Sequence, residues 1–132
     1  MFKAKDIMTR PVVTAQPDMP IYDAIRLLTN RNITGLPVVD EDLNLVGVLS
    51  EKDVLKTLYD TNDSPELTVA DFMSTETVTF DLDANIVDLC DCLIGNVFRR
   101  VPITENGKLV GIASRKDIIQ TILKIKHQSA AK

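Results

Sequence analysis

The sequence predicts an α/β (α+β) fold made of two tandem copies of one strand-helix-strand-strand-helix unit. The main observation is an internal repeat, because Asp6-Ile7-Met8-Thr9 returns as Asp71-Phe72-Met73-Ser74 at a spacing of 65 residues. A longer segment, Gly47-Val48-Leu49-Ser50-Glu51-Lys52-Asp53, returns as Gly111-Ile112-Ala113-Ser114-Arg115-Lys116-Asp117 at a spacing of 64 residues. Short apolar stretches also alternate with helical apolar stripes in both copies, which indicates a mixed α/β unit that recurs along the chain.

The two copies fill the sequence. We place the first copy at residues 1–60 and the second at 69–126, with a polar linker at 61–68 and a flexible tail at 127–132. A chain of 132 residues is large enough to bury one core. Because polar positions recur along with the apolar ones, the repeat also predicts two equivalent polar sites.

Each copy opens with a short β-type segment, at residues 12–14 and 77–80. An amphipathic helix follows in both copies. Its apolar residues recur at positions i, i+3, i+4 and i+7, starting from Ile21 in the first copy and from Ile86 in the second. Asp18 and Asp83 stand three residues before these stripes, so we expect them to act as acidic N-caps.

Two strands and a second helix complete each copy. The first of these strands begins at a proline, in Leu36-Pro37-Val38-Val39 and in Val101-Pro102-Ile103, and the second is a nearly continuous apolar run. Such runs are typical of strands that are covered on both faces. Asn106-Gly107 predicts a tight hairpin turn, whereas the first copy has a longer acidic turn. The closing helices are predicted at 51–59 and 115–126.

Charge and hydropathy argue against two classes of partner. The net charge is −4 and the 15 Lys and Arg residues are scattered, so no cationic surface for nucleic acid is expected. No apolar run approaches the roughly 20 residues that cross a bilayer. The N-terminus also lacks the apolar stretch of a signal peptide. We therefore expect no membrane partner and a cytoplasmic location.

The sequence predicts neither a metal site nor a catalytic site. Cys90 and Cys92 lie two apart in a helical pattern, so they point to different sides and cannot share a metal ion. Cys90 takes the place of Ile25 and is expected to be a small buried hydrophobe. His127 is the single histidine and has no counterpart in the other copy. Because nothing supplies an activated nucleophile, an enzyme is not expected.

The segments 50–53 and 114–117 read Ser-x-x-Asp where a strand ends and a helix begins, and two interpretations are open. Ser-x-x-Asp at a helix start is typical of a capping box. The position also suits a ligand, because a helix N-terminus offers free N–H groups to a phosphate and an acidic side chain accepts hydrogen bonds from a ribose. Lys52 and Lys116 would add positive charge beside each site.

Taken together, these features resemble a CBS domain pair, also called a Bateman module. The resemblance rests on the tandem element order, the Asp-Ile-Met-Thr opening, the proline-containing strands and the two Gly-h-x-Ser-x-x-Asp motifs, in which h is apolar. It covers residues 5–124. It implies that the copies pack through their sheets with pseudo-twofold symmetry, leaving clefts that bind AMP, ADP or ATP. S-adenosylmethionine is the less favoured ligand.

The resemblance also implies roles for individual residues. The Ser and Asp of each motif would hold phosphate and ribose, and segments 13–14 and 78–79 would line the base end. Arg99 would reach the phosphates, whereas the first copy has Thr34 at that position, so we expect the second site to bind more tightly. The expected ligand residues are Val13, Thr14, Ser50, Lys52, Asp53, Val78, Thr79, Arg99, Arg100, Pro102, Ser114, Lys116 and Asp117.

The expected function is that of a regulatory module, which senses an adenine nucleotide and signals to a partner protein. The alternative is a structural pairing module without a nucleotide, in which Ser-x-x-Asp serves only as a cap. The closing helices carry apolar residues over an arc wider than one core contact requires, for example Leu58 and Tyr59 in the first copy and Ile122 and Leu123 in the second. We therefore expect a twofold homodimer.

Overall fold

The structure is a computed structural model that describes residues 2–59, 66–95 and 99–130. Most of the predicted linker, residues 61–65, lies outside the described residues. The chain forms two compact units. One contains Val13–Thr77 and is called the first-copy unit below. The other contains Met1–Val12 together with Val78–Lys132 and is called the second-copy unit.

The opening segment of each sequence copy packs on the other copy. Helix α1 (Ala4–Ile7) belongs to the second-copy unit, where the backbone N–H of Ala4 donates to the carbonyl of Ala84 at 2.9 Å. In the first-copy unit, the N–H of Val69, at the start of the second sequence copy, donates to the carbonyl of Met19 at 2.9 Å. The compact units therefore exchange their opening segments relative to the sequence repeats at 1–60 and 69–126.

The first-copy unit contains helix α2 (Ile21–Arg31), strands β1 (Gly35–Val39) and β2 (Leu45–Ser50), and helix α3 (Glu51–Leu55). Turns of 3₁₀ helix follow at Lys56–Tyr59 and Val69–Asp71. The two strands pair antiparallel. The core of this unit consists of Ala15, Ile21, Ala24, Leu28, Leu36, Val38, Leu49 and Val69.

The second-copy unit adds strand β3 (Phe80–Asp81), helix α4 (Ile86–Gly95), strands β4 (Arg100–Glu105) and β5 (Lys108–Ser114), and helix α5 (Arg115–Ala130). β3 pairs parallel with β4, and β4 pairs antiparallel with β5. The core of this unit consists of Ala4, Ile86, Leu89, Leu93, Val101, Ile103, Ala113 and Ile118. The predicted mixed α/β class is confirmed in both units.

The first strand of each copy is shorter than predicted. In the first copy residues 12–14 are not in a strand, and the next residue, Ala15, forms a single bridge parallel to Val38. In the second copy the strand is reduced to Phe80–Asp81. A proline lies on each side of the first segment, Pro11 and Pro17, and proline has no N–H for a ladder of hydrogen bonds.

The predicted acidic N-caps are wrong. α2 begins directly after Pro20 and has no side-chain cap. At the start of α4 the side chain of Asn85 accepts from the N–H of Val87 at 2.9 Å. Asp83 instead forms ion pairs with Lys5 at 3.1 Å and Lys3 at 3.8 Å, and its hydrogen bond with Lys5 lowers the pKa of its carboxyl. The carboxylate of Asp83 is therefore paired with the opening segment of the chain and not with the start of α4.

The closing helices also differ from their predicted bounds. The first becomes a 3₁₀ turn at Lys56, so its α-helical part is one turn long. The second continues past residue 126 to Ala130, which places the start of the predicted tail inside a helix. No Gly or Pro occurs in residues 126–130, so nothing in the local sequence stops the helix there.

Candidate functional site

Both Ser-x-x-Asp segments lie at a junction where a strand ends and a helix begins, and both form a capping box. The N–H of Ser50 donates to Oδ2 of Asp53 at 2.8 Å, and the N–H of Asp53 donates to Oγ of Ser50 at 3.3 Å. The corresponding distances between Ser114 and Asp117 are 2.8 Å and 3.2 Å. These paired bonds satisfy free N–H groups at the starts of α3 and α5.

The capping box leaves one carboxylate oxygen of each aspartate outside the cap. The serine hydroxyls also donate to Oδ2, at 2.8 Å in the Ser50 box and 3.0 Å in the Ser114 box. A hydroxyl has one proton, so each serine could donate to a phosphate only by giving up this bond. The Oδ1 atoms are therefore the acceptors that a ligand hydroxyl would meet, at Asp53 and at Asp117.

The two Oδ1 atoms have different neighbours. Oδ1 of Asp117 accepts from the hydroxyl of Thr9 at 3.2 Å, and Asp117 is half-buried. Oδ1 of Asp53 lies 3.9 Å from Nζ of Lys56, and Asp53 is 7% exposed. The carboxylate of Asp117 is thus hydrogen-bonded to a neutral hydroxyl. The carboxylate of Asp53 is more deeply buried and lies near an ammonium group.

Thr9 is a site residue that the sequence-based prediction missed. Its backbone pairs with Ile112, just before the Ser114 box, through N–H to carbonyl bonds of 2.8 and 3.2 Å. The signal was present in the repeat, because Thr9 returns as Ser74, which pairs in the same way with Val48. The hydroxyl of Ser74, however, donates to the carbonyl of Glu76 at 3.4 Å.

The arginine segment lies directly against the start of α5. The carbonyl of Arg99 accepts from the N–H of Arg115 at 3.1 Å, and Arg100 stands opposite Ser114 in the sheet. In the first-copy unit the carbonyl of Thr34 accepts from the N–H of Glu51 at 3.2 Å. The two backbones are therefore equivalent here. The difference between the sites is the side chain, because Arg99 is exposed and carries a charge that Thr34 lacks.

The remaining predicted residues fall in the same unit as their own motif. Val13 and Thr14 precede Ala15, which bridges Val38, while Val78 and Thr79 precede Phe80, which pairs with Ile103. Lys52 and Lys116 are exposed in the first turns of their helices, and Pro102 is buried opposite Ile112. Each unit therefore holds the predicted residues of one motif, and the arginines belong to the second-copy unit alone.

The described residues give no sign of a metal site or of a membrane span. Within ranges 2–59, 66–95 and 99–130, no three His, Cys, Asp or Glu side chains gather where they could hold a metal ion. In the same ranges, no helix combines the length and apolar character that crossing a bilayer requires. Cys90 and Cys92 are half-buried and pack against the core of the second-copy unit.

Comparison with known proteins gives the family. The model of the CBS domain matches residues 4–60 and 69–124. This chain belongs to the CBS domain family. The crystal structure of CBSX2 from Arabidopsis thaliana in complex with AMP has a TM-score of 0.85 and 30% identity, and the match covers 96% of this chain and 99% of that one.

Two further relatives are similar over most of the chain. The CBS domain pair of protein MJ0100, in complex with 5-methylthioadenosine and S-adenosyl-L-methionine, has a TM-score of 0.78 and 27% identity, with 92% of this chain and 95% of that chain covered. The CBS domain-containing protein YhcV of Bacillus subtilis is 32% identical, over 89% of this chain and 84% of its own length.

Other relatives are longer than this chain. It spans 42% of the Methanocaldococcus jannaschii protein MJ1225 and 60% of full-length CBSX2. It also spans 23% of inosine-5'-monophosphate dehydrogenase from Methanocaldococcus jannaschii, at 30% identity. The same module therefore occurs both in stand-alone CBS proteins and as a part of enzymes.

Proposed function

We propose that this chain is a regulatory module that binds an adenosine-containing ligand and signals the bound state to a partner protein. The observation that supports it most is the duplicated Ser-x-x-Asp junction, which has a carboxylate oxygen outside the cap in each unit. Relatives with this fold were crystallised with AMP and with S-adenosyl-L-methionine. The module itself does no chemistry in this proposal, because the residues at the junctions bind and orient a ligand.

The site in the second-copy unit is the stronger candidate. Oδ1 of Asp117 accepts a 3.2 Å bond from Thr9, and a carboxylate oxygen has a further lone pair for a ribose hydroxyl. Arg99, held beside the start of α5, would supply the charged donors for a phosphate. S-adenosylmethionine has no phosphate, so the arginine favours AMP, ADP or ATP.

The site in the first-copy unit would bind more weakly. Thr34 offers no charge to a phosphate, and Oδ1 of the buried Asp53 lies near the ammonium group of Lys56. Losing a charge-assisted contact of this kind costs about 1.5–3 kcal/mol, or roughly tenfold or more in affinity. One ligand per chain at moderate concentrations is therefore the expected stoichiometry.

The alternative function is a structural pairing module without a nucleotide. One observation favours it, because both Ser-x-x-Asp segments form complete capping boxes with no ligand needed. In both proposals the chain forms a homodimer through its exposed apolar residues and acts in the cytoplasm. Among the largest of these residues are Leu58 and Tyr59, which are 83% and 85% exposed.

Discrimination between ribose and deoxyribose tests the ligand proposal against the capping alternative. A ribose 2′-hydroxyl donates to Asp117, and leaving this partly buried carboxylate without it costs about 1–3 kcal/mol. We expect 2′-deoxy-AMP to bind at least several-fold more weakly than AMP in a calorimetric titration, and Asp117→Asn to shrink that difference. Equal binding of the two ligands to the wild-type protein would support a purely capping role.

Asp71 provides the matched control. It forms the same capping box with Thr68, whose N–H donates to Oδ2 of Asp71 at 2.8 Å, but it lies at neither proposed ligand site. Asp71→Asn therefore removes an equivalent cap and should leave the preference for AMP over 2′-deoxy-AMP unchanged. If Asp71→Asn also lost the preference, the smaller preference in Asp117→Asn would be explained by general destabilisation.

A further inference from the structure

Two hydrogen-bond acceptors lie side by side at the start of α5. One is Oδ1 of Asp117, and the other is Oγ1 of Thr9, which lies 3.2 Å away and donates its proton to that oxygen. The two residues are 108 positions apart in the sequence, yet both belong to the second-copy unit. Thr9 is exposed and Asp117 is half-buried, so both residues are accessible to a ligand.

The carboxylate of Asp117 has little acceptor capacity left for a ligand. Its Oδ2 accepts from the N–H of Ser114 at 2.8 Å and from the Ser114 hydroxyl at 3.0 Å, which occupies both lone pairs of that oxygen. Its Oδ1 already accepts from Thr9, so one lone pair of Oδ1 is left. Asp117 can therefore accept one further hydrogen bond at good geometry, whereas a ribose presents two neighbouring hydroxyls.

The hydroxyl of Thr9 supplies the second acceptor. Its one proton goes to Asp117, and its oxygen keeps lone pairs that can accept from a ligand. Donation to an ionised carboxylate polarises the Thr9 hydroxyl, which makes its oxygen a better acceptor. Thr9 Oγ1 and Asp117 Oδ1 are therefore two adjacent acceptors, and they match two hydroxyl donors on neighbouring carbons of a sugar ring.

The backbone holds Thr9 in this place. Its N–H donates to the carbonyl of Ile112 at 2.8 Å, and its carbonyl accepts from the N–H of Ile112 at 3.2 Å. Beside it, the side chain of Met8 packs directly against Gly111, where a Cβ atom would meet Sδ and Cγ of Met8. Gly111 and Ile112 lie in β5, the strand that ends at Ser114. The strand that positions the capping box therefore positions the Thr9 hydroxyl as well.

The first-copy unit has a different arrangement at the equivalent position. Ser74 takes the backbone place that Thr9 has in the other unit, but its hydroxyl donates to the carbonyl of Glu76 at 3.4 Å. Oδ1 of Asp53 lies 3.9 Å from Nζ of Lys56. The shared fold alone therefore does not produce the contact between a hydroxyl and Oδ1, and this contact distinguishes the two proposed sites.

We propose that Thr9 is a specificity-determining residue, which accepts the 3′-hydroxyl of a ribose while Oδ1 of Asp117 accepts the 2′-hydroxyl. The ligand class is then a nucleoside or 5′-nucleotide whose 2′- and 3′-hydroxyls are both free. A 3′-deoxy sugar leaves Thr9 without a donor, and a 3′-phosphate brings negative charge towards the carboxylate of Asp117. This inference rests on the proposed function and specifies the sugar that its site accepts.

Calorimetric titration with AMP, 2′-deoxy-AMP and 3′-deoxy-AMP tests the assignment. Thr9→Val removes the hydroxyl and keeps a β-branched side chain of similar shape, which suits a residue paired with a strand. We expect this variant to bind AMP about three- to tenfold more weakly, because it loses one hydrogen bond, and to lose the preference for AMP over 3′-deoxy-AMP. Its preference for AMP over 2′-deoxy-AMP should persist, because Asp117 is unchanged.

Two further variants serve as controls. Thr9→Ser keeps the hydroxyl, so it should keep the preference for AMP over 3′-deoxy-AMP. Ser74→Ala removes the equivalent hydroxyl from the first-copy unit and should leave both the AMP affinity of the tighter site and this preference unchanged. The comparison of AMP with 3′-deoxy-AMP in the wild-type protein needs no variant, so it tests the inference even if Thr9→Val folds poorly.

Three results would overturn the inference. The wild-type protein could bind AMP and 3′-deoxy-AMP equally, or Thr9→Val could keep the wild-type preference between them. Thr9→Val could also bind AMP more tightly than the wild type, which would show that Thr9 competes with the ribose for Asp117. In each case AMP still binds, so the proposed function stands. A wild-type protein that binds no AMP would remove the proposed function and this inference together.

Discussion

Replacing Gly47 with alanine is expected to lower the free energy of unfolding by about 1–3 kcal/mol, because the site has no room for a methyl group. A Cβ atom on Gly47 would lie 2.8 Å from the carbonyl oxygen of Ser74 and 2.9 Å from Sδ of Met73. The carbonyl of Ser74 is fixed by its bond from the N–H of Val48 at 2.9 Å, so the backbone cannot move aside freely. Chemical denaturation of the variant measures the loss directly.

Two other glycines serve as comparisons in that experiment. Among the described residues, no atom outside the adjoining backbone of α4 lies within 4 Å of the Cβ position of Gly95, the last residue of that helix, so Gly95→Ala should leave stability unchanged or slightly raised. At Gly111 the atoms nearest to a Cβ belong to the side chain of Met8, whose Sδ and Cγ can rotate away, so the cost of Gly111→Ala should be smaller than at Gly47, where the nearest atom is a backbone oxygen. Equal stability of Gly47→Ala and Gly95→Ala would contradict the close approach of the Ser74 carbonyl oxygen to Gly47.

Replacing Arg99 with alanine is expected to weaken nucleotide binding roughly tenfold or more, because the variant loses one charge-assisted contact with a phosphate. Arg99 is exposed and its carbonyl bonds to the first N–H of α5, so the substitution removes the charge and leaves the backbone bond possible. Calorimetric titration with AMP measures the change. Arg99→Ala should change the free energy of unfolding little, since exposed arginines contribute little to folding.

The control for this substitution is Arg26→Ala. Arg26 is an exposed arginine of α2 that pairs with Asp23 at 2.7 Å, away from both Ser-x-x-Asp segments in the sequence. Its loss changes the net charge by the same amount and should leave AMP affinity unchanged. The assignment of the tighter site would be wrong if Arg99→Ala bound AMP normally while Asp53→Ala abolished binding.

The sequence predicts the local elements well because each one carries its own signal. Apolar strands that contain a proline, apolar runs such as Leu109 to Ala113, and a Ser-x-x-Asp at each helix start are local features of the chain. The strands with a proline begin two residues before it, at Gly35 and Arg100, and not at the proline as predicted. Strands β4 and β5 and the start of α5 therefore lie where the pattern places them. The capping boxes follow for the same reason, since their partners are three residues apart.

The exchange of opening segments could not be predicted in this way. Residues 1–12 and 66–77 are copies of one another, and each unit offers them a similar surface, so the repeat does not tell which unit each segment joins. The exchange also explains why Thr9 was missed as a site residue and why Asp83 was wrongly predicted as an N-cap. Thr9 reaches Asp117 across 108 positions of sequence, and Lys5 reaches Asp83, because both belong to the opening segment.

The exposure of Leu55 and Ile119 could not be predicted from the sequence either. Their apolar character alone is equally consistent with a place in the core, so exposure is a property of packing that only the structure shows.

Thermal melting of the purified wild-type protein, titrated separately with AMP, ADP, ATP and S-adenosylmethionine, tests the central claim most directly. A ligand that binds the native state stabilises it by about 2.7 kcal/mol at a concentration of 100 times its dissociation constant. We expect the melting temperature to rise with AMP, ADP or ATP concentration, and the rise to be smaller in Asp117→Asn. A melting temperature that stays constant up to millimolar concentrations of all four ligands would contradict the account.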